Sequence, residues 1–202
     1  KGGVVMHNIS KDMRRATRDM DIDFIKYSLE DKSIREFIKE LNNTDDGIKI
    51  KITGKIEPLH HQDYDGKRVY IQLTDKNKYS ISSKLDIGVH KHFNIEQDEY
   101  FFDFSIIDKS VSLLINSKEQ IIAEKLKSLL KFGITSTRFK DIFDFYYLIN
   151  NENLDKDKLL KYIDILIFKD ENMREHTIED ISKRLSSILN NSRFQSRINT
   201  AN

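Results

Sequence analysis

Between residues 48 and 90 apolar and polar side chains alternate with a period of two. Ile48, Ile50, Ile52 and Ile56 are interleaved with Lys49, Lys51, Thr53 and Lys55, which predicts a strand with one wet face. Val69, Ile71 and Leu73 repeat the pattern. Ile81, Leu85, Ile87 and Val89 do so again, with Ser82, Lys84, Asp86 and Gly88 on the polar side. Asp65-Gly66 and Lys76-Asn77 supply turns between these runs, so residues 48–90 read as a meander. Tyr100–Ile107 and Val111–Ile115 are further candidate strands. Ahead of the meander, Ile34, Phe37, Ile38 and Leu41 fall at helical spacing and predict a helix over Glu30–Leu41.

Past residue 116 the period changes to 3.6. Ser117 is a suitable N-cap for a helix running to about Lys131, and Gly133 is its stop. Three more helices are expected over Arg138–Ile149, Asp155–Phe168 and Thr177–Leu189. The pattern therefore predicts an α+β core over residues 1–115 and a helical region over residues 116–202.

Composition narrows the class. The chain has 202 residues, 38% of them hydrophobic, with 12 Phe and 8 Tyr, enough for one substantial core in one domain or two small ones. Its 34 Lys+Arg nearly balance 33 Asp+Glu, which excludes a uniformly basic nucleic-acid coat and leaves only a local patch. The absence of Cys excludes a disulfide scaffold, thiolate zinc and a cysteine nucleophile. No apolar run approaches the ~18–20 residues of a membrane span. No charged-then-apolar leader opens the chain, so a cytoplasmic protein without membrane contact is the expectation. The chain starts at Lys1-Gly2-Gly3 without Met, which suggests that a segment upstream is missing.

The segment Asp19-Met20-Asp21-Ile22-Asp23-Phe24 stands out. As a strand it puts Asp19, Asp21 and Asp23 on one face and Met20, Ile22 and Phe24 on the other. Three carboxylates on one face repel unless cations lie between them, and a hard divalent ion with oxygen ligands is the natural counter-charge. An acidic edge strand or a turn would carry the same residues. Two neighbours change the balance. Gly2-Gly3, upstream of a short segment with helical potential, lets backbone N–H groups approach a polyphosphate. Asp86, between Leu85 and Ile87, offers a third carboxylate from another strand. A paired Asp-x-Asp, a third acid and a glycine turn are the parts of a metal-dependent phosphoryl or nucleotidyl transfer site. Asp21/Asp23 fits the same template as Asp19/Asp21, and Asp103 rivals Asp86. The Arg15-x-Thr17-x-Asp19 context favours the earlier pair, and the clean alternation around Asp86 favours that acid.

This order of motifs resembles the nucleotidyltransferase fold of the DNA polymerase β type. The helical half is similar to the AbiEii/AbiGii toxin family, in which an Ala-Glu-Lys helix and an Arg-x-x-Asp-x-x-Asp helix follow the catalytic sheet. Here these are Ala123-Glu124-Lys125 and Arg138-Phe139-Lys140-Asp141-Ile142-Phe143-Asp144. The resemblance spans Gly2 to about Tyr147. It implies a mixed sheet with flanking helices, followed by a helical bundle that completes the cleft. It also implies that Asp19, Asp21 and Asp86 bind Mg²⁺ (or Mn²⁺), and that Gly2, Gly3, Arg15 and Thr17 hold the triphosphate of an NTP. Lys125 would neutralise phosphate charge, Asp141 would be a catalytic-site acid, and Asp144 an orienting group, with the last two roles interchangeable. Physically, Lys125 shares a stripe with Ile121, Ile122 and Leu129, where a lysine either snorkels or points into a cleft. Arg138–Asp141 or Lys140–Asp144 helix pairs would account for the other motif.

The family further implies a toxin of a toxin–antitoxin or phage-defence pair, with a cognate antitoxin as partner and an RNA acceptor such as tRNA. Transfer onto a protein hydroxyl, or an inactive module of the same fold, are the rivals. His60-His61 and His90-Lys91-His92 are poor zinc candidates and read as loop or surface residues, although His90 could lie near Asp86. Tyr100–Phe104 reads as core. Lys183, Arg184, Arg193 and Arg197 could hold a phosphate backbone, but read first as a solvated helix face and a frayed tail.

Overall fold

The computed structural model describes residues 2–11, 19–44, 46–59, 66–89, 92, 94–104 and 109–200, with the side chains of residues 19, 103, 104, 109 and 110 outside that description. Arg15, Thr17, His60, His61 and His90 lie outside it altogether. The described chain is mixed α and β, with a mixed main sheet and seven α-helices. It divides into two compact units, residues 1–94 with 102–111, and residues 95–101 with 112–202.

In the first unit α1 (Gly3–Ser10) precedes β1 (Asp19–Phe24), α2 (Asp31–Leu41), β2 (Lys49–Ile52), β3 (Glu57–Pro58), β4 (Lys67–Thr74) and β5 (Ser80–Val89). The sheet order is β1-β5-β4-β2, with β3 also paired to β4. Every pairing is antiparallel except β1 with β5, which is parallel. The meander is thus present, and its last strand, β5, comes back to pair with the acidic strand, which precedes α2 in the chain and forms the far edge. The expected single strand over residues 48–56 is broken. β2 ends at Ile52, and a bend at Gly54 turns the chain before β3.

One sheet face is apolar. Val69, Ile71, Leu85 and Ile87 are buried against Ile34 and Ile38 of α2, with Phe24, Met20 and Ile22 of β1 joining them. The even-numbered positions of β4 and β5 point the other way, as strand pleating requires. The outer strand β2 is closed at Ile50. Asn42 accepts from its N–H at 2.7 Å and donates to its carbonyl at 2.8 Å, imitating a neighbouring strand.

β6 (Asp98–Phe104) and β7 (Lys109–Ile115) form a separate two-stranded sheet. Within its aromatic run only part is core. Phe102 is buried, whereas Phe101 is 68% exposed, because successive residues of a strand face opposite sides.

The second unit is built on α3 (Lys118–Phe132), α4 (Phe139–Asn151), α5 (Lys156–Ile163), α6 (Ile178–Leu189) and α7 (Ser192–Thr200). Ser117 caps α3 by accepting from Gln120 N–H, and Gly133, at φ 52°, ends it. Thr177 and Asp180 form a capping box at α6. α5 continues as a wider π-helical turn over Asp164–Phe168. Ala123, Leu126 and Leu130 of α3 pack on Tyr162, Ile163, Leu166 and Ile167. The C-terminal tail is not frayed through residue 200. α7 buries Phe194, and Arg197 donates to the carbonyls of Ile134 and Ser136 while lying over the Phe139 ring. Arg197 is therefore a structural cation. Among the described residues no helix is long and apolar enough to cross a membrane.

Candidate functional site

Strand register decides what the acidic segment can do. In a parallel pair, residues in register point to the same side about 4.8 Å apart. β1 and β5 align Asp19 with Lys84, Asp21 with Asp86 and Asp23 with Gly88. Asp21 and Asp86 therefore stand abreast on the polar face. Asp21 is common to both possible Asp-x-Asp registers, and Asp86 is the acid aligned with it. Asp103 lies on β6, in the other sheet. The Asp19 backbone is part of β1, beside Lys84.

α1 brings the glycine turn to the same place. Gly2 caps the helix at φ 65°, a conformation that favours glycine. A Cβ there would stand 3.1 Å from Asp21 Oδ2, so the turn lies directly on this carboxylate. Gly3 is the first residue of α1, and Val5 and Met6 anchor the helix in the core. The first-turn N–H groups of a helix have no helical acceptors and favour anions.

Asp86 has a partner that the sequence reading passed over. Arg68 of β4, in antiparallel register with Asp86, grips it with both prongs. Nε donates to Oδ1 at 2.8 Å and Nη2 to Oδ2 at 2.7 Å. Such a fork is the strongest carboxylate contact a side chain offers. On the other side of Arg68, β3 places Glu57 in register with it. Tyr70 donates its hydroxyl to Glu57 Oε2 at 3.1 Å, and this bond leads the effects that raise the Tyr70 pKa above its ordinary value. The signal for Arg68 was present: it alternates with Val69 and Ile71, on the face of β4 that a meander lays beside Asp86.

The other predicted residues form a cluster within the second unit. Lys125 of α3 is buried, and its Nζ lies 2.5 Å from Asp141 Oδ1 and 2.9 Å from Asp144 Oδ2 on α4. Asp144 is fully buried, and Arg138 Nε adds a contact of 2.9 Å to the second oxygen of Asp141. The intrahelical pair Arg138–Asp141 forms. Lys125, from the neighbouring helix, sets its ammonium on Asp144. The lysine does not snorkel. It neutralises an acid pair that would otherwise be intolerable in a buried place.

The structure thus joins Asp21, Asp86 and Gly2 in one unit, and Lys125, Asp141 and Asp144 in the other. Among the described residues no three acidic or histidine side chains converge as a metal cage.

The family model described as "Nucleotidyl transferase AbiEii toxin, Type IV TA system" matches residues 1–200, and the chain belongs to that family. No curated protein matches it.

Proposed function

We propose that this member of the AbiEii nucleotidyltransferase toxins transfers a nucleotide from an NTP to an RNA acceptor such as a tRNA 3′ end, in a divalent-ion-dependent reaction on a polymerase β-type sheet. The observation that carries the reading is the alignment of Asp21 with Asp86 on parallel neighbouring strands, with the Gly2 turn against the Asp21 carboxylate.

The donor set suits the metal. Two adjacent carboxylates offer only oxygen, the preference of Mg²⁺ or Mn²⁺, and Asp86 already draws in a guanidinium. Asp21 and Asp86, with Asp19, would hold the ion, which when bound supplies positive charge to the triphosphate. Gly2, Gly3 and the start of α1 would take phosphate oxygens through backbone N–H groups. Arg15 and Thr17 are assigned to the same phosphates on sequence grounds. The acceptor hydroxyl oxygen forms a bond to the α-phosphorus, the bond from that phosphorus to the bridging oxygen breaks, and pyrophosphate leaves. The hydroxyl proton passes to a carboxylate of this pair. Lys125 is the phosphate-neutralising candidate of the second unit, with Asp141 and Asp144 holding its ammonium in place.

An RNA acceptor is supported by the rest of the polar sheet face. Beyond the acids, the register aligns Lys84 with Tyr70, then Ser82, Gln72 and Lys51, then Ser80, Thr74 and Lys49. Asn42, Lys49, Ile50, Lys51, Gln72 and Thr74 line an open hollow of about 400 Å³. Lysines with an aromatic ring and neutral hydrogen-bonding groups suit a phosphodiester strand.

The test is incubation with each labelled NTP, Mg²⁺, and either total tRNA or cell protein. Label on RNA is expected. Label on protein would replace the acceptor, and no label anywhere would overturn the enzymatic reading. A cognate antitoxin is the expected protein partner, as the toxin–antitoxin family implies.

A further inference from the structure

Four charged residues of the first unit stand in one row across four strands. Asp21 on β1 is in register with Asp86 on β5, Asp86 with Arg68 on β4, and Arg68 with Glu57 on β3. Lateral neighbours in a sheet lie about 4.8 Å apart, so adjacent side chains of the row are within reach of one another. The sequence of charges is minus, minus, plus, minus. Arg68 is flanked by a carboxylate on each side, and both of its prongs are on Asp86.

We propose that Arg68 is the resident counter-cation of the Asp21–Asp86 pair, and that a divalent ion binds there by displacing the guanidinium toward Glu57. This rests on the metal-dependent reading above. The physical grounds are three. The fork occupies both oxygens of Asp86, the same atoms an incoming ion needs. A dication and a guanidinium on one carboxylate repel each other at short range. Glu57 is the next acid in the row, held over β4 by the Tyr70 hydroxyl, so the displaced charge has a partner one strand away. The Arg68 side chain is 32% exposed against 10% for Asp86, so its guanidinium is the member of the pair with room to swing.

Arg68 is a positioning residue, and Glu57 acts through it. Metal affinity without nucleotide is therefore held down by the native protein itself. Glu57 should oppose Arg68: removing the guanidinium tightens metal binding, and removing its alternative partner weakens it.

The test is titration of the full chain with Mn²⁺, reading free ion by electron paramagnetic resonance, without NTP. Arg68→Gln should bind Mn²⁺ at least about tenfold more tightly than the native protein, because the positive charge that competes for Asp86 is gone. Glu57→Gln should bind more weakly. The double variant should match Arg68→Gln alone, since Glu57 has no role once the guanidinium is gone. Equal or weaker binding by a folded Arg68→Gln protein overturns the proposal. So does a double variant weaker than Arg68→Gln, because Glu57 would then attract the ion directly. Should Arg68→Gln fail to fold, Arg68→Lys, which keeps the charge and loses the fork, should still bind more tightly than native. Affinity at or below native overturns the proposal there too. Nucleotide transfer by the native protein is scored separately. Transfer with unaltered Mn²⁺ affinities leaves the enzymatic reading intact and sinks this one, and the reverse outcome does the opposite.

Discussion

Replacing Lys125 with methionine keeps the length of the side chain and removes its charge. The ammonium serves two carboxylates, Asp141 at 2.5 Å and Asp144 at 2.9 Å, and Asp144 is fully buried. Removing one partner of a buried ion pair costs about 3–5 kcal/mol, since the remaining charge has given up its hydration. Arg138 stays on Asp141, and Asp144 makes a further interaction, which places the cost near the lower end, about 3 kcal/mol. Against a total of roughly 5–15 kcal/mol that is a large fraction, and for a chain of this length it lowers Tm by about 6–12 °C. The measurement is a urea titration followed by far-ultraviolet circular dichroism at neutral pH. It covers Lys125→Met, Asp144→Asn and the double variant. If the ammonium is present to balance the acids, the double variant recovers at least about half of the loss, a coupling above ~1 kcal/mol. If the ammonium also meets phosphate, the recovered double variant still transfers no nucleotide. A Lys125→Met protein within about 1 kcal/mol of native stability refutes the electrostatic reasoning, as does a double variant no steadier than the single one.

Asp21→Ala should lower nucleotide transfer by roughly a thousandfold or more, several kcal/mol of charge stabilisation at 1.36 per decade, with unchanged circular dichroism. Undiminished transfer would remove Asp21 from the site. Burial alone would push the Asp170 carboxyl up, but the Lys127 ammonium and the N–H groups of Asn172 outweigh it and hold the pKa at about 2. The folded value lies below the unfolded one, so this stabilisation is present above about pH 4 and is lost as pH falls toward 2. Asp170→Asn should cost about 1–2 kcal/mol at pH 7 and flatten the acid limb of a stability–pH profile between those values. Phe194→Ala, at a side chain only 1% exposed, should cost about 3–5 kcal/mol in a chemical melt. A loss below about 1 kcal/mol would mean that α7 is not docked.

Local pattern was enough for most of the elements, though not for the break between β2 and β3 or for α7. Alternation marked β4 and β5, Ser117 and Gly133 bounded α3, and the three aspartates of β1 showed which strand face was polar. These features depend on residues within a few positions of each other, which a single sequence displays. Pairing across the sheet is a different matter. That Asp21 stands beside Asp86 in parallel register follows from the chain passing through α2 and the meander before β5 returns to β1, a long-range contact with no local signature. Arg68 has no local signature of its partner, because alternation marks only the odd positions of β4 as a core stripe and says nothing of what the even ones face. Its meaning depends on which acid lies across the strand. Lys125 posed the same problem: helical spacing showed that it sits in an apolar stripe, while only α4 packed against α3 revealed two acids waiting for its charge. The tail beyond Leu189 looked polar and loose, yet one phenylalanine and one arginine tie it down. Sequence specified the chemistry available to this protein, because composition and period are local. Tertiary structure chose which charges meet, because Coulomb attraction acts through distances that the chain order does not encode.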